Sequence, residues 1–192
     1  YEFIFNVISF LIALSIHEAS HALMAYYLGD PTAKNLGRIS LNPLKHLDLI
    51  GTILIFTAGF GWGKPVPVNL RYFKNIKIDN ALVSLAGPLS NIFLAMMGLI
   101  ALKYLPNTEA SLILIFIRFF ISVNIILAVF NLIPIPPLDG SHVLEVFIPA
   151  RFNNLWEQVK IQAPFGLLVL LLAEHYFHFG IVSNSIRFLS DL

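Results

Sequence analysis

Four long apolar stretches dominate this chain of 192 residues. They cover residues 3–28, 80–104, 111–133 and 163–182, and each has about the 20 residues that a helix needs to cross a bilayer. Only 12% of the residues are charged, against roughly 25% in an ordinary soluble domain, and the mean hydropathy is +0.79. The sequence therefore predicts an all-α polytopic membrane protein, built as a bundle of about four to five transmembrane helices. It excludes a disordered chain and a typical soluble enzyme.

The segment between the first two stretches, residues 29–79, has a different character. Its apolar run, residues 49–61, is too short and glycine-rich for a spanning helix and is more typical of a re-entrant, interfacial or β-like segment. Two prolines in the KPVPVN run of residues 64–69 favour an extended backbone. We expect a small β or re-entrant insert here, largely cytosolic, within one membrane domain over residues 1–192.

Basic residues indicate the orientation of the chain. Three precede the apolar run at 49–61 and four follow it: Lys34, Arg38, Lys45, Lys64, Arg71, Lys74 and Lys77. If that run turns back, all of them face one side, which the positive-inside rule makes the cytoplasm. We expect a multi-pass protein of the cell membrane, in contact with the lipid bilayer.

Composition also limits the partners and the chemistry. The net charge of +1 gives no general attraction to nucleic acid, so no nucleic-acid partner is expected. The absence of cysteine excludes disulfides, thiolate zinc sites and cysteine nucleophiles.

The first apolar stretch contains the H-E-x-x-H motif His17-Glu18-Ala19-Ser20-His21. On a helix, residues i and i+4 share a face, so both imidazoles can bind one zinc ion. Glu18 lies beside that face and can act as a general base. Such a motif also occurs by chance. Ionisable groups within a span usually face a polar interior, although residues from His17 onward could instead lie at the membrane interface.

A catalytic zinc usually takes a third protein ligand, and Asp139 is the best candidate. It follows a proline-rich segment, residues 134–137, which ends the preceding helix, and it precedes Gly140, which permits a close turn. Asp139 could also be the N-cap of a helix over residues 140–148. The two roles are compatible.

Together, H-E-A-S-H and the N-L-I-P-I-P-P-L-D-G segment of residues 131–140 resemble the signatures of the site-2 protease family of intramembrane zinc metalloproteases. Gly87-Pro88-Leu89-Ser90-Asn91 also resembles a GPxxN element of that family. The resemblance extends from residue 3 to about residue 150. It implies that His17, His21 and Asp139 hold one Zn²⁺ and that Glu18 is the general base.

The resemblance also implies that the enzyme cuts a transmembrane segment of a single-pass membrane protein near the cytosolic side. The chain looks like a minimal member without a PDZ or CBS domain. The sequence leaves the oligomeric state open.

Several residues are candidates for substrate handling. A helical substrate must unwind before its carbonyls are accessible, so we expect the extended stretch at Val66 and Val68 to offer it a strand edge. Asn131 could add side-chain hydrogen bonds to the substrate backbone. Asn91 could support a metal ligand or simply pack between helices.

Two other functions remain open at this level. Buried His, Glu and Asp could form the ion path of a transporter or channel, although no paired repeat is evident. An inactive relative could bind membrane helices without cutting them, although all four chemical residues are present.

Overall fold

The computed structural model describes residues 1–58, 61–105 and 112–177, and this part of the chain is mostly helical. Its α-helices are α1 (Glu2–Tyr27), α2 (Thr32–Asn35), α3 (Leu49–Ala58), α4 (Ile76–Tyr104), α5 (Leu112–Asn131), α6 (Asp139–Glu145) and α7 (Asn153–Phe177). Short 3₁₀ turns occur at Pro43–Lys45, Leu70–Tyr72 and Ala150–Phe152.

Four helical segments are long and apolar enough to cross a membrane. They are Glu2–Tyr27, Ile76–Tyr104, Leu112–Asn131 and Ala150–Ala173. The predicted all-α bundle of about four to five transmembrane helices is confirmed as a mostly helical structure with four candidate spans among the described residues. The last of these helical segments begins well before residue 163, where the sequence suggested that the span starts. The end of that predicted span, residues 178–182, lies outside the described residues.

Helices α1, α4 and α5 pack against one another and form the centre of the bundle. Their contact faces are rich in small side chains, including Ala13 and Ala22 on α1 and Gly98 on α4. A Cβ at Gly98 would lie 2.6 Å from Ile121 Cγ1 of α5, so only glycine permits this approach. In a membrane, close contact between small residues is a main source of helix association.

The predicted β or re-entrant insert is not supported. Within the described part of residues 29–79 there is no strand, and the single β-bridge joins Leu47 to Gly63. Residues 49–58 of the apolar run form helix α3, which Asp48 caps by accepting a hydrogen bond from the Gly51 N–H. Residues 59–60 of the run lie outside the described residues. A helix satisfies its own backbone groups, whereas an isolated strand in apolar surroundings cannot. Residues 64–69 form neither helix nor strand. Their prolines remove the N–H donors from one edge of the segment, while Val66 and Val68 keep theirs on the other.

Candidate metal centre

His17, His21 and Asp139 come together at the centre of the bundle. The Nε2 atoms of the two histidines are 2.9 Å apart, and Asp139 Oδ2 lies 3.2 Å from His17 Nε2 and 3.3 Å from His21 Nε2. Both imidazoles are buried. Each residue thus offers one donor atom to a common point, the arrangement that holds a metal ion.

The outer nitrogen of each imidazole has a partner that fixes its proton. His21 Nδ1 lies 2.7 Å from the carbonyl oxygen of Val83, which only accepts, so this nitrogen donates. His17 Nδ1 lies 2.7 Å from Asn91 Oδ1, which likewise accepts. In each ring Nε2 is therefore the nitrogen that faces Asp139 and is left to bind a metal ion.

This arrangement fits a zinc ion. Among the described residues, Asp139 Oδ2 is buried and has no hydrogen-bond partner, although two imidazole nitrogens face it. A buried carboxylate and two imidazole nitrogens this close together need a cation or a shared proton among them. Zinc bonds of about 2.0–2.2 Å at tetrahedral angles would separate the donor atoms by about 3.3 Å, close to the observed spacing. Two neutral imidazoles and one carboxylate match the donors that zinc prefers.

Asp139 reaches this point because the chain turns sharply after α5. Gly140 lies directly on the backbone of the preceding segment, where a Cβ would overlap the Leu132 carbonyl and lie 2.7 Å from Ile133 O. The N-cap of α6 is Leu138, so Asp139 is its first helical residue and makes no capping bond. The predicted capping role of Asp139 is therefore wrong, and its carboxylate faces the histidines instead.

Helix α4 approaches the histidines through a glycine. A Cβ at Gly87 would clash with His21 Nε2 and lie 2.6 Å from His17 Cε1. The backbone of α4 therefore forms one wall of the site. The sequence singled out Gly87 only as part of a motif, and the contact itself could not be foreseen.

Two buried asparagines support His17. Asn91 donates from Nδ2 to Asn124 Oδ1 at 2.9 Å and to the Ala13 carbonyl at 3.3 Å, which orients its own Oδ1 towards His17. Asn124 donates in turn to the carbonyl of Phe120 at 2.8 Å. Both side chains are 0% exposed. Sequence analysis missed Asn124, although an amide within a span is itself a signal.

Glu18 lies one residue from His17 and outside the set of three donors. Its carboxylate is buried, with Oε2 3.9 Å from Arg38 Nη2. Burial lowers the pKa of the Arg38 guanidinium, and the Glu18 carboxylate opposes that shift. The guanidinium still carries its charge at neutral pH. Arg38 was counted only as a basic residue in the sequence, where no local pattern links it to Glu18.

The extended segment of residues 63–69 runs along α1. A Cβ at Gly63 would lie 2.9 Å from Leu14 Cδ1, and Val68 packs against a cluster that includes Ala25 and Val83. Leu14 and Ala25 are about 16 Å apart along the axis of α1. The five-residue step from Gly63 to Val68 covers about the same distance when the backbone is extended. The segment therefore passes beside the turns of α1 that carry the histidines.

Both ends of this segment are fixed by buried charged side chains. Arg38 donates to the Lys64 carbonyl at 2.5 Å and to the Pro65 carbonyl at 3.1 Å. Asp30 Oδ2 accepts from the Asn69 N–H at 2.7 Å. Between these anchors, the N–H groups of Val66 and Val68 have no hydrogen-bond partner among the described residues.

Asn131 is the last residue of α5. Its Nδ2 donates to the Leu127 carbonyl at 2.9 Å, and the side chain is half-buried. No hydrogen bond among the described residues joins it to His17, His21 or Asp139.

Comparisons with known proteins find zinc metalloproteases among the relatives of this chain. The model of the family described as Peptidase family M50 matches residues 96–173. "Putative zinc metalloprotease YwhC" of Bacillus subtilis is 42% identical over 172 residues, which cover 86% of this chain and 77% of that protein. "Putative zinc metalloprotease Rip2" of Mycobacterium tuberculosis is 31% identical over 186 residues, which cover 94% of this chain and 72% of that protein. No solved structure matches the chain at a significant level.

Proposed function

Because the chain belongs to peptidase family M50, the site-2 protease family, we propose that it hydrolyses a peptide bond within or near a transmembrane segment of a single-pass membrane protein. The zinc-metalloprotease relatives and the four candidate spans make it a multi-pass membrane metalloprotease that uses Zn²⁺. The proposal specifies three further features of this enzyme: the segment that it cleaves, the residues that bind zinc and the residue that acts as the catalytic base. The observation that carries them is the convergence of one potential metal-ligating atom from each of His17, His21 and Asp139 beside a buried glutamate.

His17, His21 and Asp139 are the proposed zinc ligands. When bound, zinc supplies Lewis-acid polarisation of the scissile carbonyl and of the attacking water. The Nδ1 hydrogen bonds to Asn91 and Val83 hold both imidazoles in the tautomer that binds metal.

Glu18 is the proposed general base. Its carboxylate accepts a proton from the attacking water and then delivers that proton to the leaving amine. A carboxyl group is suited to both steps because its ionised form accepts a proton and its protonated form can donate one. The low solvent access at this carboxylate keeps bulk water from competing for the proton.

The extended segment is proposed to hold the unwound substrate. In an extended chain, residues i and i+2 point their N–H groups the same way, so Val66 and Val68 can donate to a substrate strand. The segment passes beside the histidine turns of α1, and its anchors leave only the Val66–Val68 portion free to pair. Asn131, whose Oδ1 is free of protein partners among the described residues, is proposed to accept from a substrate N–H.

The site is proposed to open towards the cytoplasm. Helix α3 has 10 residues and is about 15 Å long, which is too short to cross a hydrocarbon core of about 30 Å. The bridge between Leu47 and Gly63 returns the chain to the point from which α3 departs. The basic residues before and after α3 therefore face one side, and the positive-inside rule makes that side cytoplasmic.

One variant tests this proposal directly. Purified protein in detergent is assayed for cleavage of a library of quenched-fluorescent decapeptides, and its zinc content is measured by mass spectrometry. Glu18→Gln is expected to lose cleavage by at least about 100-fold and to keep its zinc. Substantial cleavage by Glu18→Gln, or an inactive zinc-loaded wild type, would contradict the proposed mechanism.

A further inference from the structure

We infer that Arg38 is a positioning residue that holds the substrate-binding segment, residues 64–69, in register with Glu18. The inference rests on the proposed function, since it assigns a role in the same reaction. It concerns a residue outside the metal-binding motifs, and it is carried by the contacts of one buried side chain.

A buried arginine at position 38 is expected to destabilise the fold. It is only 5% exposed, and its Nε has no hydrogen-bond partner among the described residues. A buried charge that is incompletely paired destabilises a fold, and apolar packing is often the more stable alternative. The one ion pair of Arg38 in the described part of the chain is with Glu18. The contacts of this guanidinium are therefore better explained by function than by stability.

The guanidinium connects two parts of the site. Nη1 and Nη2 donate to two successive carbonyls, those of Pro65 and Lys64, and Nη2 also faces Glu18 Oε2. The guanidinium is planar and its donors have fixed directions, so these contacts define one orientation of the segment relative to the carboxylate. A lysine at position 38 would keep the charge but not the paired contact with both carbonyls.

The register of the substrate strand is important because few N–H groups of the segment are free to pair with it. Only Val66 and Val68 offer free N–H groups, since Pro65 and Pro67 have none. A slip of one residue would shift the substrate carbonyl by about 3.3 Å relative to Glu18. A misplacement of only about 1 Å can cost about 100-fold in rate. The anchor nearest Glu18 is therefore expected to act on kcat as well as on binding.

Variants of Arg38 test this role in the full-length protein in detergent, with the decapeptide library as the probe. Arg38→Gln removes the charge and the paired donors, and Arg38→Lys keeps the charge alone. Lys45→Gln is the matched control, because it removes an exposed charge of the same region whose hydrogen bond in the described part of the chain is to the Gly37 carbonyl. Zinc content, kcat and KM are measured for each variant.

Arg38→Gln is expected to keep its zinc and to lose about 100-fold in kcat/KM, with a lower kcat. Arg38→Lys should recover part of that loss, and Lys45→Gln should resemble the wild type. If Arg38→Gln fails to bind zinc, Arg38→Lys is used to test the inference instead. Its kcat is also expected to be lower than that of the wild type. Near wild-type kcat in Arg38→Lys and in any zinc-loaded Arg38→Gln overturns the inference.

A double-mutant cycle separates positioning from a purely structural role. Val66→Pro removes one N–H of the pairing edge, so the losses from Arg38→Gln and Val66→Pro should be strongly non-additive if both act through substrate placement. Additive losses mean that Arg38 acts elsewhere and overturn the inference. An inactive wild type, or an active Glu18→Gln, would instead count against the proposed function itself.

Discussion

Gly87 lies directly against the imidazole of His21, with no room between them for even a methyl group. The contact also reaches His17 Cε1, so the backbone of α4 limits how both histidines can turn. Because Nδ1 of His21 is held by Val83 one helical turn away, α4 fixes this ring at two points. The position of a metal ion at the proposed site would therefore be set by α4 as much as by α1.

Gly87→Ala is expected to reduce zinc affinity by at least about 100-fold, because the new methyl group displaces His21 Nε2. Affinity is measured by competition with a fluorescent chelator. Gly166→Ala is the control, since a Cβ at Gly166 meets nothing within 4 Å. Equal zinc affinity in both variants would show that α4 does not constrain the site.

Asn91 and Asn124 should affect the zinc affinity of the site, although neither is a proposed zinc ligand. Asn91→Ala leaves His17 Nδ1 without its acceptor, so zinc affinity should fall by about 10- to 100-fold. Asn124→Ala should give a smaller loss in the same direction, because it only orients Asn91. The measurement is the same chelator competition. Asn80→Ala, on α4 but bonded to His142, should leave affinity unchanged.

Asp139→Ala should remove the coupling between zinc and thermal stability. A ligand at about 100 times its Kd stabilises the folded state by about 2.7 kcal/mol, so chelation should lower the Tm of the wild type. The variant lacks one of three donors, and its Tm should hardly respond to chelator. Both are followed by thermal unfolding in detergent. A chelator-dependent Tm in Asp139→Ala would mean that the third ligand lies elsewhere.

Val66→Pro should lower kcat/KM by about tenfold, the value of roughly one hydrogen bond that is made in the transition state. It removes an N–H that has no protein partner, and the neighbouring prolines already favour extended backbone. Zinc content should be unchanged. Val66→Ala, which keeps the N–H, should retain most of the activity. If it loses as much as Val66→Pro, the side chain rather than the backbone is recognised.

The sequence was most informative where chemistry and spacing coincide. The separation of His17 from His21 by one helical turn follows from helix geometry alone, and the apolar lengths predict the spans. Asp139 could be chosen because prolines and Gly140 leave few other conformations.

The insert could not be predicted in the same way. Its valine-proline alternation indicates extended backbone but not whether a partner strand exists, and the cap at Asp48 was overlooked. Arg38 and Asn124 act through tertiary contacts with Glu18 and Asn91, and no local pattern in a single sequence encodes such contacts.

The proposed zinc ligands come from helices that are far apart along the chain, α1 and α6. An ion held by both closes a long loop that contains α4 and α5. Like a disulfide, the ion would join two segments that are distant along the chain and so restrict the loop between them, in a chain that has no cysteine. Losing the ion would release α6 from α1 and open that loop. The same event would then switch off the chemistry and loosen the bundle.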